Sequence, residues 1–200
     1  MATRTRQVER SEATRAALVT AARDLFAERG FGDTATEDIV AAAGVTRGAL
    51  YHHFRDKSDL FRAVYEDIEF DMKDRIEGAM AKDDILDAVA AGISAYLTEC
   101  KDPVVQQIIF NDARSVLGWE ACNEIGDRHG GGVIRAGLQR AIDEGLIDPL
   151  PVDLVVQMIR GTLMEAGQYV ARTPNANIEE VETTVFRFLT GLLQQEPESK

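Results

Sequence analysis

Apolar residues recur along this 200-residue chain with the spacing of helix faces, and no stretch alternates apolar and polar positions long enough to suggest a strand. The pattern predicts an all-α fold. In the first third, Leu18, Ala21, Ala22, Leu25 and Phe26 share one face of a helix that starts after Ser11 and ends near Gly30, a C-terminal cap. Thr34 and Glu37 have the spacing of a capping box, and Ile39, Val40 and Ala43 give a short second helix its apolar face before Gly44 stops it. Thr46 caps a third short helix carrying Leu50, Tyr51 and Phe54. Ser58-Asp59 then opens a long fourth helix through Leu60, Phe61, Val64 and Ile68.

Beyond it the chain divides at Lys82-Asp83-Asp84, Asp102-Pro103, Leu117-Gly118, Gly130-Gly131-Gly132, Asp148-Pro149 to Pro151, and Thr173-Pro174-Asn175. Three consecutive glycines cost a helix about 2–3 kcal/mol, so the run at 130–132 is expected to kink or break one. The last two helical stretches, Asp153–Ala171 and Ile178–Gln194, are apolar around much of their circumference, through Leu154, Val155, Met158, Ile159, Leu163 and Val181, Val185, Phe188, Leu189, Leu192. Helices of that kind need partners on more than one side, which predicts a homodimer formed through them. Glu196 to Lys200 reads as a frayed tail.

The segment from Thr36 to Phe54 joins two short helices through a turn at Gly44 and Val45, the layout of a helix-turn-helix. Alanines 41 to 43 let the helices approach, Gly44 takes the positive φ that ends the first, and Val45 seals the corner. The second helix is then held for entry into a DNA groove. Its first residues, Thr46, Arg47 and Gly48, face base edges and phosphates, and Arg47 has the donors to pair with guanine O6 and N7. Lys57, at the start of the fourth helix, stands near a natural phosphate seat. Arg4, Arg6 and Arg10 lie in a basic tail, residues 1–10, for which two readings stay open: a minor-groove arm or an unstructured end.

AAAGVTRGALYHHFRDKSDLF, preceded by a first helix ending AERGF, resembles the N-terminal signature of the TetR family of regulators over roughly residues 12–66. Residues 67–200 resemble the family only in helical layout. The resemblance implies a three-helix DNA-binding domain at 1–57 and a helical effector-binding and dimerisation domain at 58–200, with a pseudo-palindromic operator on double-stranded DNA and a small-molecule effector as partners. It implies phosphate contacts from Thr36, Tyr51, His53 and Lys57, and groove contacts from Arg47, Gly48, Ala49, Tyr51 and His52. It also implies a switching route through the fourth helix. Glu37 departs from the pattern, since a carboxylate there either accepts a hydrogen bond, from cytosine N4 for instance, or repels a phosphate, where the family sometimes has a base-contacting basic residue. Phe54 reads as core, whereas Tyr51 can pack its ring and still offer its hydroxyl.

The formal charge of −12 argues against nucleic-acid binding only if it is evenly spread. Residues 1–57 carry nine Lys+Arg against eight Asp+Glu, so the remaining residues, with 13 against 26, hold all the acidity. No nucleophile, acid–base pair or metal spacing points to an enzyme or a cofactor, and His52 and His53 diverge too far on a helix to share a metal. Gly130-Gly131-Gly132 lacks the Lys-Ser/Thr of a phosphate loop. Cys100 and Cys122 form no CxxC motif. No apolar run is long enough to span a bilayer and the N-terminus is basic, which predicts a cytoplasmic protein. For an amphiphilic effector, Tyr96, Phe110, Trp119, Met158, Met164 and Tyr169 offer aromatic and thioether surface, interleaved with Asn111, Arg114, His129, Arg160 and Glu165. The rival reading is a helical protein-interaction or ligand-binding module without DNA binding.

Overall fold

A computed structural model describes residues 2–191, with side chains from residue 7 onward. Among these residues every regular element is a helix. In chain order they are α1 (Ala2–Asp33), α2 (Thr36–Ala42), α3 (Arg47–His53), α4 (Lys57–Ala79), α5 (Ile85–Glu99) and α6 (Pro103–Val105); a π-helical segment Gln106–Asp112 leads into α7 (Ala113–Gly126), and a second, Asp127–Gly131, into α8 (Gly132–Asp143). α9 (Val152–Arg172) and α10 (Ile178–Gly191) close the series. The tail expected beyond Glu196 and the last turn expected around Leu192 lie outside the described residues. Compactness groups the chain differently from the division expected at residue 57: one unit is Met1–Ile68 with Pro103–Cys122, the other Glu69–Asp102 with Asn123–Lys200.

In the first unit, α1 begins at Ala2 rather than after Ser11, so of the tail 1–10, for which an unstructured end was one expectation, residues 2–10 are helical. The physical reason is that this stretch has no Gly or Pro and several good helix formers, so nothing stops propagation past Ser11. The side chains of Arg4 and Arg6 lie outside the described residues; Arg10 is exposed. α1 buries Leu18, Ala22 and Phe26, α2 buries Ile39, α3 buries Leu50 with Phe54 just beyond it, and α4 buries Leu60, Phe61 and Val64. Each large side chain removed from water contributes about 1.5–3 kcal/mol. Phe26, Phe31 and Phe61 pack as a ring triad, with centroids 5.3 to 5.7 Å apart. The backbone leaves helical geometry at Gly30 (φ 77°) before one more turn to Asp33. Asp112, at the end of the first π segment, accepts the Phe31 N–H at 2.8 Å and the Gln107 side-chain amide at 3.1 Å, tying 103–122 to the end of α1.

The second unit has two apolar cores. Ile93 and Leu97 of α5 pack with Val170 of α9 and Val185 and Leu189 of α10; Leu138 and Ala141 of α8 pack with Ile147 and Val156. Asp84 caps α5 by accepting from the Leu86 and Asp87 amides, and Arg140 donates to the Asp83 carbonyl at 2.6 Å. At the glycine run, expected to kink or break a helix, the chain does not break: it passes through the π-helical Asp127–Gly131 into α8 with Gly131 and Gly132 in helical conformation. Space explains one glycine of the run, Gly131, and one that precedes it, Gly126. A Cβ on Gly126 would collide with the Arg160 guanidinium, and one on Gly131 would sit 2.6 Å from Asp127 Oδ1. Arg160, nearly buried, instead reaches the Asn123 carbonyl at 3.4 Å and lies 3.8 Å from Asp127. At Gly130 and Gly132 a Cβ would meet nothing within 4 Å, and nothing in the structure explains glycine there.

Candidate nucleic-acid interface

The geometry of α2 and α3 starts at the turn between them. Gly44 takes φ 65°, and the Gly44 and Val45 N–H groups return to the Ala41 and Val40 carbonyls at 3.2 and 3.0 Å. These two bonds form a Schellman cap, which needs a left-handed residue at that position and so favours glycine. Thr46 then caps α3, its hydroxyl accepting the Ala49 N–H at 3.2 Å. Two expectations fail locally. Thr34 does not cap α2: Ala35 holds that position, and the Thr34 hydroxyl is buried, donating to the carbonyls of Gly30 (2.8 Å) and Leu25 (3.2 Å). Ala41 and Ala42 do not line the helix contact, since both are exposed and only Ala43 is half-buried.

Anchored by Leu50 and Phe54, α3 leaves Thr46, Arg47, Gly48, Tyr51 and His52 exposed, with Ala49 and His53 half-buried. Arg47 Nη1 lies 3.0 Å from Glu37 Oε1, and its guanidinium carbon sits 5.5 Å from the Tyr51 ring centroid. Glu37 is held below the usual carboxylate range by its own backbone N–H, by the Thr36 hydroxyl at 3.1 Å, and by Arg47. His53 meets His52 edge-on at 5.2 Å, and burial followed by the charges of His52 and Arg15 lowers its pKa. Arg15 itself lies 5.3 Å from the Phe54 ring centroid. Lys57 turns inward. Its ammonium donates to the Phe31 carbonyl at 2.7 Å and the Thr34 carbonyl at 2.9 Å, and sits 4.2 Å from the Phe31 ring centroid. α4 is capped by Asp56, which accepts the Asp59 N–H at 2.8 Å, while Asp59 accepts the Arg55 N–H; the expected opening at Ser58-Asp59 is thus one step late.

The residues expected around an effector divide between the two units. In the first, Asn111 donates to the Gln107 side chain at 3.3 Å, Phe110 is half-buried, and Arg114 stacks 5.0 Å from the ring centroid of the exposed Trp119. In the second, Tyr96 packs on the core of Ile93, Leu97, Val170, Val185 and Leu189, and His129 meets the Phe70 ring edge-on at 6.2 Å. Met164 is half-buried, whereas Met158, Glu165 and Tyr169 are exposed on α9. Tyr169 lines a shallow apolar groove with Ala166, Glu180, Val181, Thr184 and Val185. Val185 and Leu189, expected at the face between copies, belong to the chain's own core; the exposed apolar residues of the two helices are Leu154, Met158, Tyr169 and Phe188. Sequence reasoning missed Asp112 and Asp56. The Asp-x-x-Asp spacing of 56 and 59 was a legible signal; for Asp112, 81 residues from its partner, there was none.

Residues 18–64 match the family model of bacterial regulatory proteins of the tetR family, and residues 86–194 match a tetracyclin repressor-like C-terminal domain. The chain is similar to the transposon Tn10 TetC protein of Escherichia coli, 27% identical over 82% of this chain and 83% of that protein. It is 34% identical to the HTH-type transcriptional repressor BepR of Brucella suis over 48% of this chain and 49% of that protein. The crystal structure of a TetR-family transcriptional regulator from Pectobacterium atrosepticum superposes with a TM-score of 0.78 at 32% identity, covering 94% of this chain and 98% of that one.

Proposed function

Since the chain belongs to the TetR family and is a DNA-binding transcriptional regulator, we propose that it is a repressor that docks α3 in the major groove of a pseudo-palindromic operator and is released by a small-molecule effector. The carrying observation is the exposed face of α3, with Arg47, Gly48, Tyr51 and His52 presented on a helix pinned by the Gly44 turn and the Thr46 cap. Arg47 reads a base, while Thr36, Thr46 and His53 stand at the flanks toward phosphate. Lys57 contributes by holding the α1–α2 connection; only its third donor remains for phosphate. DNA binding is assigned to residues 1–57 and effector response with dimerisation to 58–200. Repression is supported by a relative that is a repressor.

Two copies pair through the exposed faces of α9 and α10, where Leu154, Met158, Tyr169 and Phe188 would otherwise stay in water. A two-fold dimer sets two reading helices about 34–36 Å apart, one turn of B-DNA. The test is binding of genomic fragments by mobility shift, with Arg47→Ala. The expected result is salt-sensitive binding of a discrete fragment and loss of preference at one base pair per half-site. Equal binding of all fragments by the unmutated chain and by Arg47→Ala would overturn this reading.

A further inference from the structure

Arg47 and Glu37 stand on different helices, yet their side chains meet at 3.0 Å with 65% and 60% of their surfaces exposed. A pair so exposed is screened by water and contributes little to stability. Its geometry is nonetheless fixed from both sides: the Thr36 hydroxyl and the Glu37 backbone N–H hold the carboxylate, and the Tyr51 ring lies against the guanidinium. Glu37 is also the motif position that departs from the family pattern, and the repressor reading above gives it no part.

We propose that Arg47 and Glu37 act as one reading unit for a G·C base pair, which makes Glu37 a second specificity-determining residue. This rests on the operator-binding reading above. Along its major-groove edge a G·C pair presents the N7 acceptor, the O6 acceptor and then the cytosine N4 donor. A guanidinium beside a carboxylate presents donor, donor and acceptor in the same order. O6 and N4 of a Watson–Crick pair are hydrogen-bonded to each other at about 2.9 Å, close to the 3.0 Å between Nη1 and Oε1. With two guanidinium N–H groups on N7 and O6, that separation puts Oε1 on the cytosine side of O6, where a small rotation of the exposed Glu37 side chain brings it to the N4–H while the ion pair stays intact. An A·T pair opposes this unit twice, setting the adenine N6 donor against the guanidinium and the thymine O4 acceptor against the carboxylate. Away from such a pair, the Glu37 charge repels phosphate, so non-specific contacts by α3 are penalised.

The test selects from duplexes randomised over the half-site, using the full chain and its Glu37→Gln and Glu37→Ala variants, and measures affinity for the selected duplex and its single-pair changes. The unmutated chain should enrich one G·C pair per half-site. In Glu37→Gln the preference for G·C over A·T at that pair should fall about tenfold, with every other position and the thermal midpoint unchanged. Glu37→Ala should do the same and bind unselected duplex more tightly. Unaltered discrimination in both variants, or a loss spread evenly over the half-site, would overturn the proposal while leaving operator binding intact. Enrichment of no duplex by the unmutated chain would overturn the operator reading, and this proposal with it.

Discussion

Lys57 shows how one side chain can be structural where its position suggests a ligand contact. Its ammonium satisfies two carbonyls at the end of α1 and the start of the α2 connection. Replacing it with Met keeps the stem and strands both carbonyls, so stability should fall by about 1–3 kcal/mol in urea titration, before any effect on DNA. His53 carries a pH prediction. Its pKa is lowered in the folded chain, by burial first and then by His52 and Arg15, so the unfolded state binds more protons as pH drops below the usual imidazole value. Stability should therefore decline from about pH 6.5 downward, and the decline should be shallower in His53→Gln. Operator affinity should move the other way, rising on acidification, because phosphate favours the charged ring; anisotropy titrations at several pH values read this directly. The exposed members of α3 were legible at this scale because they lie on a short, strongly patterned helix. Thr34 was misread because its hydroxyl has two competing acceptors behind it, and no local spacing reveals carbonyls that α1 brings back.

Among the elements, the α2 turn is the most exactingly built. Gly44→Ala forces a Cβ into left-handed backbone, and should cost about 1–2 kcal/mol in a denaturant titration. Operator binding should weaken with it, since α3 loses its fixed angle to α2. The helices themselves were readable from 3.6-residue periodicity, but the two π-helical segments were not. Each inserts a residue into one turn, and so looks in sequence like a drift of the apolar stripe. Gln106–Asp112 also has a task that periodicity cannot express, namely delivering Asp112 to the Phe31 N–H. In Asp112→Ala that amide loses its acceptor, and its hydrogen-exchange protection should fall selectively relative to amides in the middle of α1. The apolar excess on α9 and α10 was legible, but not its division into faces: one side turned out to hold Val170, Val185 and Leu189, the other Tyr169 and Phe188.

For the molecule as a whole, that division separates two outcomes that look alike in activity. Tyr169→Glu or Phe188→Glu places a charge on the exposed face and should yield a folded monomer in sedimentation. Val185→Glu places it in the core and should unfold the chain, seen as lost helical ellipticity. No helix among the described residues is long and apolar enough to cross a membrane. The first compact unit is discontinuous: residues 103–122, which bury Val105, Ile108, Ile109 and Ala113, complete a body begun by α1 to α4. Biosynthesis must respect that order. At about 5–20 residues per second, the ribosome finishes the helix-turn-helix and then spends seconds on the next segment before the strap that buttresses α1 emerges. A nascent chain thus carries its reading helix before it carries the support for it, and a fragment cut after residue 68 should behave as that intermediate does, with α1 loosened at Phe31.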